Sequence, residues 1–169
     1  RSVGARERRI ITKAENYFQP TFNQLDSSTQ KTKSLLINSP NNPTGMVYNK
    51  ATIQNICEVA KKNNLWVISD EVYDTQIWAG KHISPREIDN MVERTLVVGS
   101  LSKSHAMTGS RLGWLIGPEL IISKAIDLAT NMTYGVPGFV QQAGIFALEQ
   151  GKGFEEKISE PFNRRSKLA

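Results

Sequence analysis

Cysteine is almost missing from this sequence: Cys57 is the only one. An internal disulfide is therefore impossible, a cysteine-based zinc site is not expected, and the residue reads as a small side chain packed in a helix. Long apolar runs are missing as well. No stretch approaches the roughly 18 residues that a membrane span needs, and the opening RSVGARERRI lacks the apolar core of a signal peptide. A membrane partner and a bound metal are therefore not expected, and a cytoplasmic setting is. Nor is there an internal repeat, a low-complexity tract or a clear linker, so residues 1–169 read as one domain. Also absent are G-x-G-x-x-G after a strand, G-x-x-x-x-G-K-[ST] and an aromatic-basic surface motif. The formal charge of +5, from 21 Lys and Arg against 16 Asp and Glu, is the one feature that would suit nucleic acid. The basic residues are scattered, however, and their one tight group, Arg6, Arg8 and Arg9, sits at a chain end. A non-catalytic basic binding module is the weakest reading, and no nucleic-acid partner is expected.

What is present is an alternation of short apolar runs with longer amphipathic segments, the pattern of strands and helices taking turns around a mostly parallel sheet. Leu35 to Asn38 reads as a short buried strand, Leu65 to Ser69 as the next, Thr95 to Gly99 as a third and Leu112 to Ile116 as a fourth. Between the first two, Ile53, Ile56, Cys57 and Ala60 fall at i, i+3, i+4 and i+7, which predicts a helix over about 50–63. Pro118 opens a further helix with Ile122, Ala125, Ile126 and Ala129 on one face, and another follows Pro137 and ends at Gly151 and Gly153. In sheets of this kind, ligands gather at the carboxyl ends of the strands. Asn38 to Gly45, Asp70 to Tyr73 and Ser100 to Lys103 all fall there, and all are polar and chemically useful.

Each of these segments has a chemical reading and a plainer one. In Ser100-Leu101-Ser102-Lys103, a polar loop, a partly desolvated lysine near a second cation such as Arg111 would have a depressed pKa and enough nucleophilicity to form an imine. The two serine hydroxyls and the planar Arg111 fork would suit a phosphate. The alternative is a solvated lysine beside two turn-forming serines. Asp70, directly after an apolar strand, is expected to be semi-buried and in need of a partner. A pyridinium nitrogen would serve, with Tyr73 pointing a phenol into the same cleft; a helix cap or buried salt bridge would serve equally. In Asn38-Ser-Pro-Asn-Asn-Pro-Thr-Gly45, two prolines and a terminal glycine make a rigid turn that could hold the Asn42 amide in a fixed pose, or simply join a strand to a helix. His105 is expected to make a structural hydrogen bond, and His82 to be solvated. Trp66, Trp78 and Trp114 are expected in core or edge packing, and Lys61 and Lys62 on a solvated helix face.

Taken in order, S-P-N-N-P-T-G, S-D-E-V-Y and S-L-S-K-S-H-A-M-T-G-S-R-L-G-W resemble the class I/II aminotransferases, fold-type I pyridoxal-phosphate enzymes. The resemblance runs from about Gly4 to Arg165 and includes Arg111, eight residues after Lys103. It implies an α/β fold with a mainly parallel sheet flanked by helices, forming part of the large cofactor-binding domain. It further implies pyridoxal 5'-phosphate held as a Schiff base by Lys103, which would also shuttle the substrate's alpha proton. Asp70 would pair with the pyridine nitrogen, Asn42 and Tyr73 would bond the phenolic oxygen, and Ser100, Ser102 and Arg111 would hold the phosphate. The implied substrates are an amino acid and a 2-oxo acid, in a homodimer with Tyr134 near the partner's site. Beta-elimination or another lyase reaction on the same scaffold stays open. The family's other phosphate loop, its ring-stacking aromatic and its carboxyl-terminal small domain are not among these residues. The chain is therefore expected to be a fragment that is inactive alone.

Overall fold

The computed structural model describes residues 4–168. Four strands, β1 (Ser34–Asn38), β2 (Trp66–Asp70), β3 (Thr95–Ser100) and β4 (Gly113–Ile116), form one sheet in that order. β1 pairs with β2 and β2 with β3 in parallel, while β4 runs antiparallel to β3. The fold is the expected α/β arrangement, a mainly parallel sheet with helices around it.

A short helix, α1 (Phe22–Ser27), precedes the sheet; the parallel step from β1 to β2 requires a crossover, and α2 (Lys50–Lys62) supplies it. Asn49 caps its start, the side chain accepting from Thr52 N at 2.9 Å. Lys61 and Lys62 lie in its last turn, where cations suit the helix dipole. The predicted apolar face is the buried one: Ile53, Ile56, Cys57 and Ala60 join Val59 against Leu35, Ile37 and Val67 of the sheet, with Leu25 and Met91 closing the core. The four-residue spacing thus becomes burial, worth about 1.5–3 kcal/mol for each large apolar side chain. Lys61 and Lys62 are exposed, and Lys62 pairs with Asp26 at 3.0 Å.

Four expectations need correction. β1 is covered on one face only: Leu35 and Ile37 are buried, but Leu36 is 74 % exposed. Its apolar run is that of a strand covered on both sides, yet among the described residues the second face carries little cover, and Val98 and Leu115, which the register puts on that face, share its exposure. The helix after Pro118 exists as α4 (Glu119–Thr133), but no residue on it is fully buried: Ile122 and Ala125 are half-buried and Ile126 is 60 % exposed. The helix after Pro137, α5 (Gly138–Glu149), does stop before Gly151, but Gly153 lies inside α6 (Lys152–Ser166). Gly151, at φ 69°, turns the chain from one helix into the next, so the pair of glycines marks a junction rather than an end. Finally, Lys103 sits in a short helix, α3 (Leu101–Ser104), not a loop. Four residues are too few to show periodicity, and the cap comes from Ser100, whose Oγ accepts from Ser102 N at 3.1 Å.

Cys57 is buried as expected, and the surrounding apolar packing pushes its thiol up to about 11. At pH 8 roughly one such thiol in a thousand is ionised. Alkylation of Cys57 should therefore be slower than for a free thiol by about a hundredfold or more, and should speed up only where denaturant opens the core. Native labelling at the rate of a free thiol would contradict this packing.

Candidate functional site

β1, β2 and β3 deliver their polar ends to one edge of the sheet. Asn38 stands opposite Asp70, Asp70 opposite Val98, and β3 continues to Ser100. Asn38 ties the edge together: its amide donates to Asp70 O at 3.2 Å, and its Oδ1 accepts from Asn41 Nδ2 and Asn42 N, each at 3.1 Å. The turn that follows is bonded within itself. Gly45 N donates to Asn41 O at 2.8 Å, and Asn41 Oδ1 accepts from the Thr44 hydroxyl at 2.8 Å. Gly45 takes φ 71°, the left-handed conformation that glycine adopts without strain. The rigid turn fixes the Asn42 amide, which donates to the Tyr73 hydroxyl at 3.3 Å.

Lys103 Nζ lies 5.7 Å from the centre of the Tyr73 ring, within cation–π range. Among the described residues it makes no hydrogen bond or ion pair. Its backbone carbonyl accepts from Gln76 Nε2 at 3.1 Å, which holds the Tyr73–Gln76 turn beside α3. Tyr73, Gln76, Ser102, Lys103, Thr108 and Phe162 all face a cavity of about 300 Å³. A larger cleft of about 560 Å³ lies beside it, with Asn42, Tyr73, Ile77 and Trp78 among its walls.

Asp70 is half-buried, and among the described residues its carboxylate accepts one hydrogen bond, from Val72 N to Oδ1 at 3.2 Å. The Ser100 and Ser102 hydroxyls are 2.9 Å apart. Thr108 links them to Arg111: its hydroxyl donates to Ser102 O at 3.0 Å and its carbonyl accepts from Arg111 Nη1 at 2.9 Å. Arg111 is otherwise exposed, at a positive φ of 53°, and among the described residues the rest of its guanidinium is unengaged. Of the seven predicted site residues, Lys103, Tyr73 and Ser102 therefore share one cavity and Asn42 joins through Tyr73. Ser100 and Arg111 are linked to it by hydrogen bonds. Asp70 and Arg111 line neither cavity.

The profile of the aminotransferase class I and II family matches residues 1–168. The chain belongs to that family. It is 39 % identical to arginine–pyruvate transaminase AruH of Pseudomonas aeruginosa over 99 % of its own length and 43 % of that protein's. With the aspartate aminotransferase of Bacillus sp. (strain YM-2) it shares 38 % identity over 92 % of its length and 41 % of the relative's. The solved aspartate aminotransferase from Thermus thermophilus with maleate superposes with a TM-score of 0.89 at 33 % identity, covering 94 % of this chain and 42 % of that one. The chain thus spans less than half the length of the relatives it matches.

His105 makes the structural hydrogen bond expected of it, with Nδ1 2.9 Å from Ser104 Oγ and the ring stacked 5.6 Å from Phe154. Trp66 is half-buried at the start of β2 and Trp114 packs over Gly99 across the β3–β4 pair, while Trp78 is the most exposed. Tyr134 is 94 % exposed. His82 corrects its expectation of a solvated ring: its side chain is 14 % exposed and Nε2 lies 2.9 Å from Glu71 Oε2. The polar neighbours Lys81 and Ser84 disguise a pairing with a residue eleven positions earlier. Sequence reading also missed Gln76 and Thr108, ordinary polar residues whose role appears only once α3 is placed beside the turn. No helix among the described residues is long and apolar enough to cross a membrane.

Proposed function

We propose that this chain supplies the central part of the cofactor-binding domain of a pyridoxal-phosphate-dependent aminotransferase, which moves an amino group from an amino acid to a 2-oxo acid. The observation that carries the reading is the Lys103 amine, without a hydrogen bond or ion pair among the described residues, over the Tyr73 ring at the rim of a cavity that Tyr73 joins to Asn42. The donor set suits the cofactor: a half-buried carboxylate with an open oxygen, an amide and a phenol, and hydroxyls linked to a guanidinium. When bound, pyridoxal phosphate supplies an aldehyde carbon open to amine attack and a ring that draws electrons from the bond being broken.

The roles of the chain's own groups follow from their chemistry. Lys103 would be the covalent anchor, and its amine, when free, would hold or move a proton at the substrate's alpha carbon. Asp70 would set a carboxylate beside the ring nitrogen and so favour its protonated form. Asn42 and Tyr73 would donate to the phenolic oxygen. Ser100, Ser102 and Arg111 would hold the phosphate, a planar guanidinium being suited to an oxyanion. The full-length protein works as a homodimer with Tyr134 toward the partner's site. The relatives named above act on arginine with pyruvate and on aspartate, side chains of opposite charge, so the reading stops at the class of 2-amino acids.

The test adds pyridoxal phosphate to the full-length protein, records the visible spectrum, reduces with borohydride and maps the modified peptide. A visible band and a pyridoxyl mass on Lys103 are expected, and Lys103→Ala should lose both. A spectrum indifferent to that substitution would sink the assignment. Ammonia released stoichiometrically from an amino acid, without a 2-oxo acid acceptor, would replace transamination by a lyase reaction.

A further inference from the structure

The segment 72–81 has no helix or strand, yet it walls both cavities: Tyr73 and Gln76 face the smaller, and Ile77 and Trp78 join them at the larger. A stretch of chain without ladder hydrogen bonds needs another restraint if its side chains are to stay in register with α3. Its backbone makes few bonds of its own, Gln76 N to Tyr73 O at 2.9 Å within it and Asp74 N to Glu71 O at 3.0 Å at its edge. Its two ends, however, are joined. Glu71 is 6 % exposed, and its backbone N–H donates to Val98 O at 2.9 Å on β3. Its carboxylate reaches the far end of the segment, where Oε2 lies 2.9 Å from His82 Nε2 and Oε1 accepts from the Ser84 hydroxyl at 2.7 Å.

A carboxylate buried so deeply is costly unless both oxygens find partners. Here both do. Burial pushes the Glu71 carboxyl up, but the bonds from His82 and Ser84 more than reverse it and leave it below the ordinary carboxylate range. Asp74 on the same turn also feels the His82 charge, together with Glu71 and, from α6, Glu155. None of these groups lines either cavity, so the arrangement acts on the site only through the segment it closes.

We propose that Glu71, His82 and Ser84 are positioning residues: a buried clasp that closes the base of segment 72–81 and so sets Tyr73 and Gln76 against Lys103. This rests on the reading of Lys103 and Tyr73 as cofactor-binding. Without the clasp the segment would be held by the Glu71 N–H at one end and by the Gln76 amide on Lys103 O, and the Asn42–Tyr73 bond would lose its fixed partner.

The experiment uses the full-length protein with Glu71→Ala, His82→Ala, the double variant and Glu71→Gln. Amide hydrogen exchange is followed without cofactor, and pyridoxal phosphate affinity is measured separately. In either single alanine variant, exchange over 72–81 should rise by about tenfold or more while α2 keeps its protection. The double variant should be no faster than the worse single one, because the two residues form one device. Affinity should fall by about tenfold alongside, and Glu71→Gln, whose amide still accepts from Ser84, should stay within about threefold of wild type. Unchanged protection over 72–81, uniform loss of protection throughout the protein, or loosened exchange with unaltered affinity would each overturn the proposal. If Glu71→Ala fails to fold, Ser84→Ala, which removes the bond to Glu71 and the cap on Arg86 N but no charge, carries the same comparison. If wild type takes up no pyridoxal phosphate, the cofactor reading falls on its own, and the positioning role toward that cofactor is overturned with it; the exchange arm still reports whether the clasp exists.

Discussion

In the full-length protein, Lys103→Ala should lower amino-group transfer by about ten-thousandfold. The size follows from two tasks resting on one amine, the covalent anchor and the proton carrier; losing either alone is worth about a hundredfold or more. Nothing beside it can take over. The other walls of the small cavity are Tyr73, Gln76, Ser102, Thr108 and Phe162 with their neighbours, and none carries a group that is basic at neutral pH. The Tyr73 hydroxyl is already engaged with Asn42. Initial rates at saturating pyridoxal phosphate measure the effect, and a thermal midpoint near that of wild type shows that the loss is chemical. The fold should tolerate the change, since Lys103 is only half-buried and its amine pairs with nothing among the described residues. A loss smaller than about a hundredfold would move the proton-carrying role to another group.

The parts of this molecule that could be read in advance are those set by local pattern. The α2 face was legible because four apolar residues at helical spacing leave one way to bury them. The strand ends were legible because a parallel sheet collects its ligand-facing residues at one edge, and Asn38, Asp70 and Ser100 do collect there. What escaped depends on partners distant in sequence. The antiparallel sense of β4 is settled by how the chain returns after α3, which Gly-Trp-Leu-Ile does not encode by itself. The solvent-facing position of Leu36 contradicts its apolar character, because the cover such a face calls for is not among the described residues. The Glu71–His82 pair needs the turn at Gly80 to bring its members together, and Gln76 gains its role only through Lys103 O. Local rules brought Asn38, Asp70 and Ser100 to one edge of the sheet; the contacts of Glu71, His82 and Gln76 came from the tertiary structure.

The second large effect is on stability. Ile56→Ala should cost the folded state about 2–5 kcal/mol, the range for deleting a large aliphatic side chain from a core that cannot collapse around the gap. Ile56 is fully buried at the middle of α2, with Ile53 one turn before it, Cys57 next to it, Val59 and Ala60 one turn after, and the sheet beneath. The helix is anchored at its start by the Asn49 cap, and its core face is filled along its length, so it cannot tilt to fill the space without opening another gap. Because α2 bridges the strands that carry Asn38 and Asp70, the cost should appear as a lower denaturation midpoint, with cofactor affinity below that midpoint within about twofold of wild type; the cavity lies in the core, away from the strand ends, and distant effects add independently. Urea titration followed by circular dichroism measures the first, and the pyridoxal phosphate absorbance titration the second. A destabilisation below about 1 kcal/mol would mean that α2 is packed more loosely than its complete burial requires.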